Sequence, residues 1–149
     1  MHRMKMMIVI MALLLPVRAF AGDAVKTATL YKNALCTCCE DHAAYLRHNG
    51  YEVKVIPTHE LPQLRAKHGV SEELTGCHMT LIDGYVFEGH VTVSMIDKVL
   101  GERPDIKGIS LPGMPLGVPG MPGPKIEPFT VFAIPAKAAG GEPSIYMVE

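Results

Sequence analysis

Apolar and polar positions along the chain follow short strand-like and helix-like patterns. Thr27 to Tyr31 (T-A-T-L-Y) is β-branched and aromatic and predicts a strand. From Cys38 to Asn49, Ala43, Ala44 and Leu46 fall at helical spacing, and Gly50 supplies a stop. Tyr51 to Ile56 (Y-E-V-K-V-I) alternates with period two until Pro57 ends it. Glu60 to His68 predicts a second helix: Leu61 and Leu64 share a face, Gly69 follows, and Pro62 fits only in the first turn. Met79 to Ile82 and Tyr85 to Phe87 are apolar runs separated by Asp83-Gly84, a tight-hairpin signal. Val93 to Leu100 carries Met95, Ile96, Val99 and Leu100 on one side, with Thr92 or Ser94 as the cap and Gly101 as the end.

Short connections between the first strands and helices imply a parallel β-α-β start, to which the hairpin adds an antiparallel edge. This order, with a C-x-x-C pair where the first strand meets the first helix, predicts an α/β, thioredoxin-like fold with a mixed central sheet flanked by helices. A C-terminal Pro/Gly/Met-rich loop follows. Leu111 to Pro124 (L-P-G-M-P-L-G-V-P-G-M-P-G-P) is too rich in Pro and Gly for a helix or a central strand. Phe129 to Ile134 predicts one further strand, and residues 136–149 read as a loose tail. The domain so defined spans residues 22–135, including the loop at 111–124.

The first 21 residues change the setting. His2, Arg3 and Lys5 precede an apolar run from Met6 to Leu15, and Ala19-Phe20-Ala21 is a small-x-small cleavage pattern. This predicts an export signal and a periplasmic location; an uncleaved anchor is disfavoured by the shortness of the run. No second hydrophobic span follows. Of 14 Lys and Arg against 15 Asp and Glu, Arg3, Lys5 and Arg18 fall in the leader, so the remainder is mildly acidic. With no basic cluster and no Gly-rich phosphate loop, nucleic acid is excluded as an expected partner.

All four cysteines lie beyond the leader, in a compartment where disulfides persist. Cys36, Cys38 and Cys39 crowd one strand-to-helix junction, where unpartnered N–H groups and the helix dipole favour thiolate. Thiolate both attacks disulfides and binds soft metals, so Cys36–Cys39 suits either role. Two structural disulfides are the alternative, with three connectivities open, but crowded cysteines staple poorly. Cys77-His78-Met79 stands just before the third strand, which the predicted fold sets beside the first cluster. Singly, Cys77 is equally a disulfide partner, His78 a strand-end imidazole and Met79 a core filler. Jointly they favour metal binding: thiolate and thioether select Cu(I), and imidazole accepts copper or zinc. His42 could donate to a metal or depress a thiol pKa, or line a solvated face. His90 is a second-tier ligand candidate or a surface residue, and His48, His59 and His68 read as exposed. Pro-Gly-Met occurs twice, at Pro112-Gly113-Met114 and Pro119-Gly120-Met121, which makes Met114 and Met121 thioether candidates or gap-fillers.

With these motifs in view, the chain resembles the CopG-like periplasmic copper-resistance proteins. The resemblance is carried by Cys36-Thr37-Cys38-Cys39, Asn49-Gly50-Tyr51-Glu52-Val53, Cys77-His78, Asp83-Gly84-Tyr85-Val86-Phe87-Glu88-Gly89-His90-Val91 and Leu111-Pro112-Gly113-Met114-Pro115. It implies a thioredoxin-like fold, copper binding through the clustered cysteines and a part in copper tolerance through redox handling of copper. Relatives usually carry Trp where His42 stands, Thr where Met79 stands and often Pro where Thr92 stands.

The leading expectation is a binding protein that holds Cu(I), as more than one ion, through Cys36, Cys38, Cys39, Cys77, His78, Met79, Met114 and Met121. Its partners would be copper ions and other periplasmic copper-handling proteins. An oxidoreductase with Cys36 as nucleophile and Cys39 as resolving thiol is the second, and a disulfide-stapled contact domain the third. Zinc, which suits Cys-rich tetrahedral sites, ranks behind copper because of the Met donors.

Overall fold

The computed structural model describes residues 25–136 and 142–149; the expected leader at 1–21 lies outside them. The elements run β1 (Lys26–Lys32), α1 (Thr37–His48), β2 (Tyr51–Pro57), α2 (Leu61–Lys67), a 3-10 turn (Glu72–Leu74), β3 (His78–Ile82), β4 (Tyr85–Glu88), α3 (Val93–Glu102), β5 (Ile106–Ser110), β6 (Thr130–Pro135) and β7 (Ser144–Val148). Together the strands make one mixed sheet in the order β2-β1-β3-β4-β5-β6-β7. β1 pairs in parallel with β2 and antiparallel with β3, and β4 pairs in parallel with β5.

The predicted hairpin forms, and Asp83 and Gly84 both take positive φ, as a two-residue turn of this kind requires. It is not an edge, however: β3 pairs with β1 and β4 with β5, so the hairpin occupies the middle of the sheet. The tail also differs from expectation, because residues 144–148 pair with β6 as the edge strand β7. Thr92 is the cap of α3, its side chain accepting from the Met95 N–H. The helix runs one residue past Gly101 and ends on Arg103 in the left-handed region.

Two cores lie on opposite faces of the sheet. The larger packs α1 (Cys39, Ala43, Leu46) and α3 (Met95, Ile96, Val99) over Leu30, Ile82, Phe87 and Ile109. The smaller joins Leu61 of α2 and Leu74 to Met79, Val86 and Ile134. Because strand side chains alternate between faces, His78 and Thr80 share the α1 face with Ile82, while Met79 points the other way.

Candidate metal centre

The site is assembled where β1 hands over to α1. Cys36 is the N-cap of α1, with extended backbone, and its N–H bonds the Asn33 carbonyl. That places Cys38 and Cys39 in the first turn, at the helix's positive end. The connecting loop is held by Lys32. Its buried ammonium donates to the Asn33 and Ala34 carbonyls at 3.2 and 3.3 Å and pairs with Glu40 at 3.1 Å.

Cys77, at the entry to β3, meets all three. Its sulfur lies 3.1 Å from that of Cys36, 3.3 Å from Cys38 and 3.4 Å from Cys39. The structure closes Cys36–Cys39 as a disulfide and leaves Cys38 and Cys77 as thiols. Burial, together with the hydrogen bond and charge of Cys38, pushes the Cys77 thiol up to about 12 against the pull of Arg65.

Behind the sulfurs stand His42, His78 and His90, all buried, with ring centroids 4.6 to 5.2 Å apart. Burial lowers the pKa of each, that of His42 to about 4 and that of His78 well below its usual value, with His90 adding repulsion on both. His90 Nδ1 lies 2.8 Å from the Pro119 carbonyl. A carbonyl only accepts, so Nδ1 carries the hydrogen and Nε2 is a bare lone pair. That Nε2 and His78 Nδ1 are both buried without a hydrogen-bond partner among the described residues. A buried polar nitrogen left unpaired is costly and calls for an explanation. Here the donor atoms of Cys77, His78 and His90 lie within 4.8 Å of one another, and so do those of Cys36, Cys38, Cys39 and Cys77. The residues therefore fit a metal: sulfur dominates one group, bare imidazole nitrogen the other, and Cys77 belongs to both.

The Pro-Gly-Met loop covers this region. Gly113, at positive φ, bridges Gly76, and its N–H bonds the Thr75 carbonyl. Gly120 presses on α1: a Cβ there would lie 2.8 Å from the Cys38 carbonyl oxygen and 2.9 Å from the His42 backbone nitrogen. Each repeat thus rests a glycine on one flank of the site, and a methionine follows it in the chain. Met121 is half-buried against the larger core, whereas Met114 is 56% exposed.

Met79 does not join the cluster. It is fully buried in the smaller core, across the sheet, because it follows His78 by one position on the same strand. Conversely, His42, for which a solvated face is an equal expectation, and His90, expected more often at the surface than as a ligand, are both enclosed in the site. The sequence assigns no role to Arg65, and Glu88 figures there only within a motif of the resemblance. Glu88 accepts from the Gly76 N–H at 2.8 Å and from Arg65 Nε at 2.9 Å, while Arg65 donates to the Gly76 carbonyl at 2.9 Å. The available signal was a carboxylate, Glu88, closing an otherwise apolar strand.

A mixed α/β domain that gathers four sulfurs and bare imidazoles at one end of its sheet is a metal-binding architecture. Comparison with solved structures finds the same fold in two described as "Copper resistance protein copG". Form 2 matches with TM-score 0.75 and 30% identity over 85% of this chain and 99% of that one. Form 1 matches with TM-score 0.73 and 31% identity over 83% and 96%. Residues 74–121 match the family model described as "Protein of unknown function, DUF411". Curated protein sequences give no match. The chain belongs to the CopG copper-resistance family, and its clustered cysteines and histidines fit a copper-binding role. Among the described residues, no helix is long and apolar enough to cross a membrane.

Proposed function

We propose that this protein binds Cu(I) in the periplasm and so contributes to copper resistance or homeostasis. The observation that carries the reading is the convergence of Cys36, Cys38, Cys39 and Cys77 beside two buried, bare imidazole nitrogens, His78 Nδ1 and His90 Nε2. Thiolate and thioether favour Cu(I) over harder ions, so the four cysteines are the principal ligands. His78 and His90 add nitrogen, and Met114 and Met121 are thioether donors delivered by the loop. Zinc ranks second for the same reason. More than one ion is expected, because two donor groups share Cys77 and four thiolates exceed the need of one Cu(I). The export signal expected at 1–21 supports the location. A parallel β1-α1-β2 unit beside the β3-β4 hairpin and α3 supports the thioredoxin-like reading.

The test is titration of fully reduced protein with Cu(I) against a competing chelator, for the wild type and for Cys36→Ser, Cys38→Ser, Cys39→Ser and Cys77→Ser. Tight uptake of more than one equivalent, reduced in the variants, is the expected result. Weak uptake of less than one equivalent overturns the reading.

A second reading, thiol-disulfide or copper-linked oxidoreduction, is favoured by the Cys36–Cys39 disulfide itself. In the reduced form the Cys36 thiolate would attack a substrate disulfide and release one thiol. Cys39 would then displace the second, closing the disulfide and leaving the substrate as a dithiol. Turnover of an insulin-like substrate that is lost in Cys36→Ser and indifferent to copper would favour this class over storage.

A further inference from the structure

We infer that His42 is a positioning residue for the copper site: it locks His78, which groups with Cys77 and His90, in the tautomer that leaves Nδ1 bare. The inference rests on the copper reading above and assigns His42 a role other than ligand.

The assignment follows from counting hydrogens. His42 Nε2 lies 3.0 Å from the Val91 carbonyl. Because that oxygen only accepts, Nε2 carries the hydrogen of the neutral ring, and Nδ1 is left as an acceptor. His78 Nε2 stands 2.9 Å from that Nδ1. It must therefore donate, which places the single hydrogen of His78 on Nε2 and none on Nδ1. The result is a one-way chain: His78 donates to His42, and His42 donates to Val91. It ends on the nitrogen for which the described residues supply no partner, on a ring whose donor groups with those of Cys77 and His90 within 4.8 Å.

Both nitrogens of His42 are consumed by this chain, so His42 has none left for a metal. His90 is set independently, by the Pro119 carbonyl on the loop. Two separate backbone carbonyls, one just after β4 and one on the Pro-Gly-Met loop, thus fix two imidazoles of the same donor group, each with one nitrogen left bare. Partners of this kind orient a ligand ring and fix its tautomer, and their loss commonly weakens metal affinity by roughly 10–100-fold.

The experiment has two arms. In reduced, metal-free, ¹⁵N-labelled wild type, long-range ¹H–¹⁵N spectra report the tautomer of each ring. The expected result is His78 protonated at Nε2 and His90 at Nδ1; His78 protonated at Nδ1 overturns the inference without any variant. The second arm compares Cu(I) affinity in wild type, His42→Phe, which keeps ring volume without an acceptor, and His42→Gln, which restores a donor and an acceptor. His42→Phe should lose the fixed His78 tautomer and roughly 10-fold or more in affinity, leave His90 unchanged, and be partly rescued by Gln. Equal affinity in wild type and a folded His42→Phe overturns the positioning role. Failure of the wild type to bind copper would overturn the copper reading itself, a result distinct from either tautomer outcome.

Discussion

Cys77 is the residue on which the two donor groups meet. Its sulfur lies within 3.4 Å of the other three and also faces His78 and His90. Cys36 and Cys38 belong to the sulfur group alone. Cys77→Ser should therefore remove more bound Cu(I) than Cys36→Ser or Cys38→Ser, by metal analysis of anaerobically loaded protein; equal losses would contradict the shared role. The raised Cys77 thiol pKa also means that binding must expel a proton, so Cu(I) affinity should rise with pH toward 9. The imidazoles govern the metal-free protein. Their folded pKa values lie below the usual 6.5, that of His42 at about 4, so below pH 6.5 the unfolded chain binds more protons than the folded one. Stability conferred by these neutral rings is present above pH 6.5 and is lost as pH falls toward 4. The melting temperature of reduced, metal-free protein should drop across that window, and His42→Phe should flatten the drop.

At the scale of elements, the site is gripped from two sides. Arg65 of α2 and Glu88 of β4 hold both backbone groups of Gly76, the residue before Cys77. Glu88 is fully buried; burial raises its pKa while Arg65 opposes the rise. Arg65→Met would strand that carboxylate, and removing one partner of a buried pair costs about 3–5 kcal/mol. Urea denaturation should record that loss at neutral pH, with partial recovery as the pH is lowered and Glu88, its pKa raised by burial, becomes protonated. From the other side, the loop rests Gly120 against α1. Gly120→Ala meets both the positive φ and the Cys38 carbonyl. It should cost about 1–3 kcal/mol and weaken copper binding by lifting Met121 and freeing His90.

Legibility in the sequence follows the same division. The β1-α1-β2 start and the Asp83-Gly84 hairpin were readable because their signals are local. β5 was not: Ile106–Ser110 is short and broken by Gly108, which is required because a Cβ there would strike the Val86 backbone. β7 was hidden because an edge strand with mostly exposed positions shows no alternation. The thiol cluster was visible in its spacing. The imidazole trio was not, since His42 and His78 lie 36 residues apart and only tertiary packing buries them together.

For the molecule as a whole, the copper reading makes the redox state of one bond decide how many sulfurs are free to bind. With Cys36–Cys39 closed, the site offers two thiols and the bare nitrogens of His78 and His90. Two electrons and two protons open the bond and supply two further thiols, without any rearrangement of chain topology, because all four sulfurs already share one pocket. Cu(I) should therefore bind the reduced protein in greater amount than the oxidised protein. A ligand that prefers one state stabilises it by mass action, so bound Cu(I) must in turn hold Cys36 and Cys39 reduced. Copper-loaded and copper-free reduced protein can be exposed to the same mild oxidant, then denatured in chelator and acid and treated with a thiol-trapping reagent. The loaded sample should retain four trappable cysteines and the copper-free sample two. Disulfide formation at the same rate in both would mean that the ion does not engage this pair, and that the disulfide serves a separate, catalytic chemistry.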